Sequence, residues 1–147
     1  MQLNLFTRFL DFFKIKKSPL ENNFSIDFVK YTILTDALED IKGLYEIIWT
    51  LNEKFAEVSK DEKVEISKLA MIDLLEDYYV ELHIKNWKKL TEKILDLDES
   101  LKVIKINSAW EEPDTGGNYY CFTSTKKTKR ELRKQYRRIK KSDKSKN

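Results

Sequence analysis

Residues 66–85 read ISKLAMIDLLEDYYVELHIK, and the spacing of the hydrophobic residues changes within this stretch. Over residues 65–76 the hydrophobic residues recur at intervals of three or four, which predicts a helix with one buried face. Over residues 78–85 they alternate with polar residues, which predicts a strand with one buried face. The stretch therefore predicts an α+β domain in which a helix leads directly into a strand.

Helices are expected over most of the rest of the chain. Hydrophobic residues follow a helical period over residues 2–15, 36–57, 88–97 and 99–106, whereas residues 24–33 fit either a strand or a helix. The amphipathic N-terminal helix over residues 2–15 is compatible with packing on the core, on a partner protein or on a membrane surface. The predicted fold class is α+β and predominantly helical.

A second strand is expected near residues 118–125, which read NYYCFTST. Successive side chains of such a strand point to opposite faces of a sheet. The preceding residues 107–118 are rich in Asn, Ser, Pro, Asp and Gly, which favours turns. We expect the strands near 78–85 and 118–125 to pair as a short antiparallel β-hairpin, with the residues between them forming an insertion.

One segment resembles a known group of proteins. Trp110-Glu111-Glu112-Pro113, followed by Gly116-Gly117 and the strand at residues 119–125, resembles the closing wing of small uncharacterised winged-helix-like bacterial proteins. In that pattern a Trp-x-x-Pro turn precedes a strand that ends in Thr. The resemblance implies winged-helix-like helices with a β-hairpin over residues 36–130, and it implies no particular function.

Charge divides the 147-residue chain into two parts. The whole chain carries a net charge of +3, but residues 126–147 hold 12 Lys or Arg and 2 Asp or Glu, a charge of +10. Residues 1–125 hold the remaining 16 basic and 23 acidic residues, a charge of −7. We therefore expect a single acidic globular domain over residues 1–125, followed by a basic helical tail over residues 126–147 with a disordered end.

The sequence offers little material for catalysis. With one cysteine and one histidine it cannot supply the four nitrogen and sulfur ligands of a zinc site, and Gly116-Gly117 lacks the context of a phosphate-binding loop. His83 and Cys121 form a nucleophilic pair only if their strands place them opposite each other, and a lone buried thiol usually behaves as a small hydrophobe. We expect a protein that is not an enzyme and binds neither cofactor nor metal.

The N-terminal stretch, the length of the apolar runs and the cysteine content indicate where the protein is located. The stretch from Met1 to Lys17 is interrupted by charged residues, so it does not look like a signal peptide, and no run approaches the ~18 apolar residues of a membrane span. A single cysteine makes no internal disulfide. We expect a cytoplasmic protein, and its richness in Lys, Asn and Ile is typical of AT-rich bacterial or phage genomes.

The acidic domain suggests a protein-binding module. An acidic surface can block the basic cleft of a nuclease, and opposite charges accelerate the encounter. The concrete hypothesis is an inhibitor or immunity-type protein that neutralises a basic partner such as a toxin nuclease. The candidate contact residues are Asp61, Glu62, Asp73, Glu76, Asp77, Glu111, Glu112 and Asp114.

The alternative is binding to nucleic acid. A winged-helix-like regulator would insert the helix over residues 65–76 into the major groove, but that helix is acidic, so we rank this hypothesis second. A version in which only the tail binds phosphates avoids that objection. Its candidate residues are Arg130, Arg133, Lys134, Arg137, Arg138 and Lys141. We expect Trp49, Trp87 and Trp110 to be core or turn anchors rather than base-stacking residues, and the sequence predicts no oligomeric state.

Overall fold

The computed structural model describes residues 23–114 and 117–145. Within these ranges five α-helices and four strands are present. They are α1 (Ile26–Glu39), β1 (Lys42–Gly43), α2 (Leu44–Lys54), α3 (Lys60–Glu76), β2 (Val80–Asn86), β3 (Thr91–Ile94), α4 (Leu97–Ile104), β4 (Asn118–Ser124) and α5 (Lys126–Ser145). A 3-10 turn at Asn107–Trp110 separates α4 from β4. The helix predicted over residues 2–15 lies outside the described residues.

The four strands form one antiparallel sheet in the order β1-β4-β2-β3. Strands β2 and β4 pair along their whole length, from Val80 opposite Ser124 to Asn86 opposite Asn118. The two strands predicted from the sequence are therefore neighbours in the sheet. They do not form a hairpin with each other, because β3, α4 and the 3-10 turn lie between them along the chain.

The single helix predicted over residues 36–57 is wrong. The chain leaves α1 at Asp40, pairs with β4 through the short strand β1, and enters α2 directly after Gly43. The Gly43 N–H donates to Oε2 of Glu46 at 2.6 Å, and a Cβ on Gly43 would collide with the ring of Tyr45. The break depends on close approach of a ring to the backbone and on pairing with a distant strand, neither of which local periodicity reports.

The helix predicted over residues 88–97 is also wrong. Asn86 Oδ1 accepts a hydrogen bond from the N–H of Lys89 at 2.8 Å, and Leu90 takes a left-handed backbone with φ of 53°. The chain therefore turns and returns as β3, which pairs with β2 at the edge of the sheet. Leu90 and Ile94, which the helical prediction placed on a buried stripe, are 87% and 57% exposed.

The ambiguous residues 24–33 belong to helix α1. Ser25 caps this helix, because its Oγ accepts a hydrogen bond from the N–H of Phe28 at 3.1 Å. Phe28 packs edge-on against Phe55 at 5.2 Å between ring centroids, which joins α1 to the chain leaving α2. A capped start and a buried aromatic contact therefore favour the helix over the strand.

The core lies where α1, α2 and α3 meet the sheet. Leu82 of β2 and Phe122 of β4 are completely buried and face these helices as directly opposed residues. The helix predicted over residues 65–76 is confirmed as the C-terminal part of α3, which begins earlier because Ser59 caps it through the N–H of Glu62 at 3.2 Å. Among the described residues, Trp110 is the last buried one before β4, and the chain over residues 111–114 that follows it lies at the surface.

Candidate protein-binding groove

The segment after the 3-10 turn is held in place by one buried aromatic residue. The indole Nε1–H of Trp110 donates to the backbone carbonyl of Ile104 at 3.0 Å, inside the core. Because Trp110 fills the core at the end of the 3-10 turn, the chain must leave the interior immediately afterwards. Glu111, Glu112 and Asp114 are exposed as a result.

A groove of about 310 Å³ lies beside this segment, and we call it the acidic groove. Its lining combines tyrosines and small apolar side chains with three carboxylates, and none of the described residues that line it is a lysine or arginine. These residues are Tyr45, Ile106, Ser108, Ala109, Glu111, Glu112, Pro113, Asp114, Asn118, Tyr119 and Tyr120. The acidic groove therefore combines three carboxylates with three tyrosine rings on one surface.

A second groove of about 380 Å³ shares Glu111 with the first. The start of α3 supplies Lys60, Asp61 and Glu65 to its lining, and the 3-10 turn supplies Asn107. Glu65 is partly neutralised by the ammonium group of Lys68, which lies 3.1 Å away. The fold thus brings Asp61 and Glu111 to one hollow although they are 50 positions apart in the sequence.

The remaining predicted acidic residues are distributed along α3. Glu62 lies in its first turn beside Asp61. Asp73 is engaged by the ammonium group of Lys30 at 2.8 Å, and Glu76 and Asp77 mark the opposite end of the helix, roughly 22 Å from Asp61 at 1.5 Å per residue. The eight candidate residues therefore fall into two separate groups rather than one face.

Sequence reasoning did not identify the tyrosines of the acidic groove. Partial burial, with a smaller effect from Glu46 and Glu112, raises the pKa of Tyr45 above its ordinary value. Burial likewise raises the pKa of Tyr119, and the nearby Cys121 and Tyr45 raise it further. Both phenols therefore stay neutral at physiological pH and remain hydrogen-bond donors. The Tyr119-Tyr120 pair was a visible signal, but nothing in the sequence indicated that Tyr45 would join it.

The thiol and the imidazole considered as a nucleophilic pair do lie on paired strands. His83 is directly opposite Cys121, yet the thiol Sγ lies 3.8 Å from the backbone carbonyl oxygen of His83. The imidazole instead faces carboxylates, with Nδ1 2.8 Å from Oε1 of Glu92 and Nε2 3.4 Å from Oε1 of Glu81. Burial raises the pKa of the Cys121 thiol to about 11, so the thiolate needed for nucleophilic attack is scarce at neutral pH.

The basic tail forms α5, which begins where the charge of the chain changes. Thr125 caps it by accepting the N–H of Thr128 at 3.3 Å, and the buried Thr128 hydroxyl donates to the carbonyl of Tyr79 at 3.0 Å. The six predicted phosphate-binding residues are all exposed: Arg130, Arg133, Lys134, Arg137, Arg138 and Lys141. Lys134 also lies 3.6 Å from Glu131, one turn earlier on the helix.

Comparison with known proteins gives no relative from which a role could be transferred. No family model, curated protein or solved structure matches the chain. Across the described ranges, no helix is both long and apolar enough to cross a membrane. The same residues contain no group of three or more His, Cys, Asp or Glu side chains that could hold a metal ion. What defines the protein is a mixed α+β fold with a four-stranded antiparallel sheet and the acidic groove beside it.

Proposed function

We propose that this protein is a non-enzymatic protein-binding module whose acidic groove receives a basic segment of a partner. The observation that carries the proposal is the composition of that groove. Three tyrosines and three carboxylates face it, and no lysine or arginine among the described residues opposes them. In its most concrete form, the protein is an inhibitor or immunity-type protein that neutralises a basic toxin nuclease.

The chemistry of the groove suits arginine and lysine side chains. A guanidinium group can make paired hydrogen bonds to a carboxylate such as Glu112, and its plane can stack on a tyrosine ring such as Tyr119. Tyrosine also contributes large apolar area with few rotatable bonds, which is why it is frequent among residues that dominate binding energy. The exposed carboxylates would mainly accelerate encounter and set specificity.

The second groove would extend this surface. Asp61 and Glu111 both line it, although Lys60 also lines it and Lys68 pairs with Glu65, so its negative charge is weaker than that of the acidic groove. A basic protein that covers both would contact α3 and the segment at residues 111–114 together. We propose a cytoplasmic site of action, where a single thiol such as Cys121 stays reduced.

The proposal is tested by affinity purification from the source cells with three forms of the full chain. These are the wild type, the groove variant E111Q/E112Q/D114N, and the control variant E39Q/E53Q/E57Q. Both variants remove three negative charges from exposed positions, but only the first alters the acidic groove. We expect one basic protein to bind the wild type and the control and to be lost from the groove variant, with affinity falling at least about tenfold in a following titration.

Equal retention by the groove and control variants would contradict the proposal, because net charge alone would then explain binding. If the retained protein is a nuclease, its activity should fall as the wild-type chain is added. Its activity should stay unchanged when the groove variant is added in place of the wild type. Retention that is independent of salt would also contradict a contact built on carboxylates.

Nucleic-acid binding through the tail is the second candidate function. The exposed arginines and lysines of α5 favour it, since each can neutralise a phosphate. The winged-helix-like version is disfavoured by the surface of α3, because Lys63 and Lys68 are only 3% and 9% exposed while Asp61 and Glu62 are exposed. Charge reversal by R133E/K134E/R137E/R138E should abolish binding to duplex DNA by the tail, and unchanged affinity would exclude it.

A further inference from the structure

The hairpin formed by β2 and β3 has a rigid tip. The Asn86 side chain accepts the N–H of Lys89 at 2.8 Å and donates its amide to Oδ1 of Asn118 at 2.7 Å. The left-handed backbone of Leu90 completes the turn. The tip at residues 87–90 is therefore fixed both within the hairpin and to the neighbouring strand β4.

Two aromatic rings are stacked at this tip. The indole of Trp87 lies nearly parallel to the ring of Tyr119, with 4.9 Å between centroids and 11° between planes. Trp87 is nevertheless 57% exposed, so the stack does not bury it, and its exposed indole differs from the core or turn anchor expected from the sequence. An exposed indole that a neighbour holds in one orientation can accept another flat ring with little further loss of rotamer freedom.

Lysines lie on the hairpin side of the stack, next to Trp87. Lys88 and Lys89 follow Trp87 in the exposed turn and have no ion-pair partner within the described part of the chain. Lys85 borders the same shallow hollow of about 170 Å³ as Trp87 and Tyr119, where it lies 3.9 Å from Glu92. Residues 85–93 carry four lysines and one carboxylate, a charge of +3.

We propose that this hairpin tip binds single-stranded nucleic acid, with a base stacking on Trp87 and phosphates contacting Lys88 and Lys89. Stacking on an exposed aromatic ring tolerates any base, and lysines follow the backbone without reading its sequence. A duplex keeps its bases stacked on one another, so it cannot use the indole in this way. This site adjoins the acidic groove through Tyr119, but the proposed contacts of Trp87, Lys88 and Lys89 do not depend on the function proposed for that groove.

A flat anionic membrane suits this tip less well. Tyr119 borders both the tip and the acidic groove, so a surface broad enough to cover the hairpin would also approach the groove carboxylates. A single strand is narrow enough to follow the lysines of the turn. The tip presents two strongly exposed apolar residues, Trp87 and Leu90, which is little area for insertion between lipids.

The test measures fluorescence anisotropy of labelled 12-nucleotide DNA and RNA strands, and of the matching duplexes, across a salt series. The full chain carrying R133E/K134E/R137E/R138E is used beside the wild type, so that binding by α5 is removed. We expect single strands to bind more tightly than duplexes, with affinity falling as salt rises. W87A should weaken binding by about tenfold, since losing a stacked base contact costs on this scale, whereas W87F should retain most of it.

Matched variants separate the tip from general effects. W49A removes a tryptophan that is 49% exposed and lies edge-on to Tyr45, and K102E/K105E reverses two exposed lysines elsewhere. Both should leave the affinity unchanged, while K88E/K89E should weaken it strongly. Equal losses with W87A and W49A, or equal binding of strand and duplex, would overturn the proposal. So would loss of all strand binding in the charge-reversed α5 variant, or, in a parallel sedimentation assay, binding to phosphatidylserine vesicles without binding to strands.

Discussion

Trp110 and Ile104 are joined by a buried hydrogen bond, from the indole nitrogen to the backbone carbonyl at 3.0 Å. Ile104 is the last residue of α4, and Trp110 ends the 3-10 turn, so the bond closes the loop between them. The carboxylates of the acidic groove begin at the very next residue, Glu111. Packing of Trp110 in the core therefore helps to place the first carboxylate of the groove.

Replacing Trp110 tests this dependence. We expect W110A to lower the free energy of unfolding by about 3–5 kcal/mol, because it empties a large buried volume. W110F should cost less, since it keeps much of the volume and loses the hydrogen bond to Ile104. Urea unfolding followed by far-UV circular dichroism measures both. An effect below about 1 kcal/mol for W110A would show that the 3-10 turn is held by other contacts.

Gly43 provides a second test, at the junction between β1 and α2. The backbone there is extended, but an added Cβ would collide with the ring of Tyr45. We expect G43A to destabilise the protein by about 1 kcal/mol, the low end of overpacking, because the half-buried Tyr45 ring has to move away. Gly117 is the control, because its Cβ would lie 3.4 Å from the Asp114 carbonyl, an ordinary contact. Thermal unfolding should show a clear loss for G43A and little change for G117A.

The buried thiol of Cys121 predicts a dependence of stability on high pH. Its pKa is raised from 9.0 to about 11 in the folded chain, so between these values the unfolded chain releases a proton that the folded chain keeps. The stabilisation is complete below pH 9 and is lost as the pH rises towards 11, with a slope of up to about 1.4 kcal/mol per pH unit. The residues Tyr45 and Tyr119 have raised pKa values and add a loss of the same sign.

Comparison of the wild type with C121A isolates the contribution of the thiol. Urea unfolding at pH 8, 9, 10 and 10.5 should give a shallower decline for C121A than for the wild type. Parallel declines would mean that the thiol ionises equally in the folded and unfolded chains. A thiol-specific reagent should also react with the folded wild type far more slowly than with the unfolded chain at pH 8.

Thr128 provides a test of how α5 is attached. Its buried hydroxyl donates to the carbonyl of Tyr79, the residue before β2. Thr128→Val keeps the shape and removes the donor, so we expect a loss of about 1 kcal/mol, the net contribution of one hydrogen bond, since the Tyr79 carbonyl keeps the N–H of Thr125. Faster hydrogen exchange should appear at the start of α5. Thr91→Val, at an exposed position of β3, is the control and should change neither measurement.

The strands near 78–85 and 118–125 were predictable because local pattern and tertiary environment agree there. In β2, Val80 and Leu82 are buried and alternate with the half-buried Glu81, so the period of two records burial over these residues. The alternation ends at His83, which is buried opposite Cys121. In α3 the helix was predicted, but its buried face only in part, because Leu69 is 52% exposed whereas Met71 and Leu74 are buried. These elements were predicted to within a few residues at their ends, apart from the earlier start of α3.

The hairpin between β2 and β3 was not predictable in this way. Leu90 and Ile94 are spaced like residues on a helical face, yet both are exposed, and the turn is closed by side-chain bonds from Asn86. The acidic groove was likewise predictable only in part. The carboxylates at residues 111–114 were identified from charge, but their neighbours Tyr45 and Tyr119 were not.

By itself, the sequence determined the α+β class, the two paired strands and the division between an acidic body and a basic tail. Those properties depend on residue type and on spacing along the chain, which are local. Only the tertiary structure decided that α1 and α2 are separate, that β3 exists, and that Tyr45 lies beside Tyr119 in the acidic groove. These features depend on sheet pairing and side-chain packing between residues far apart in the chain, which override weak local preferences.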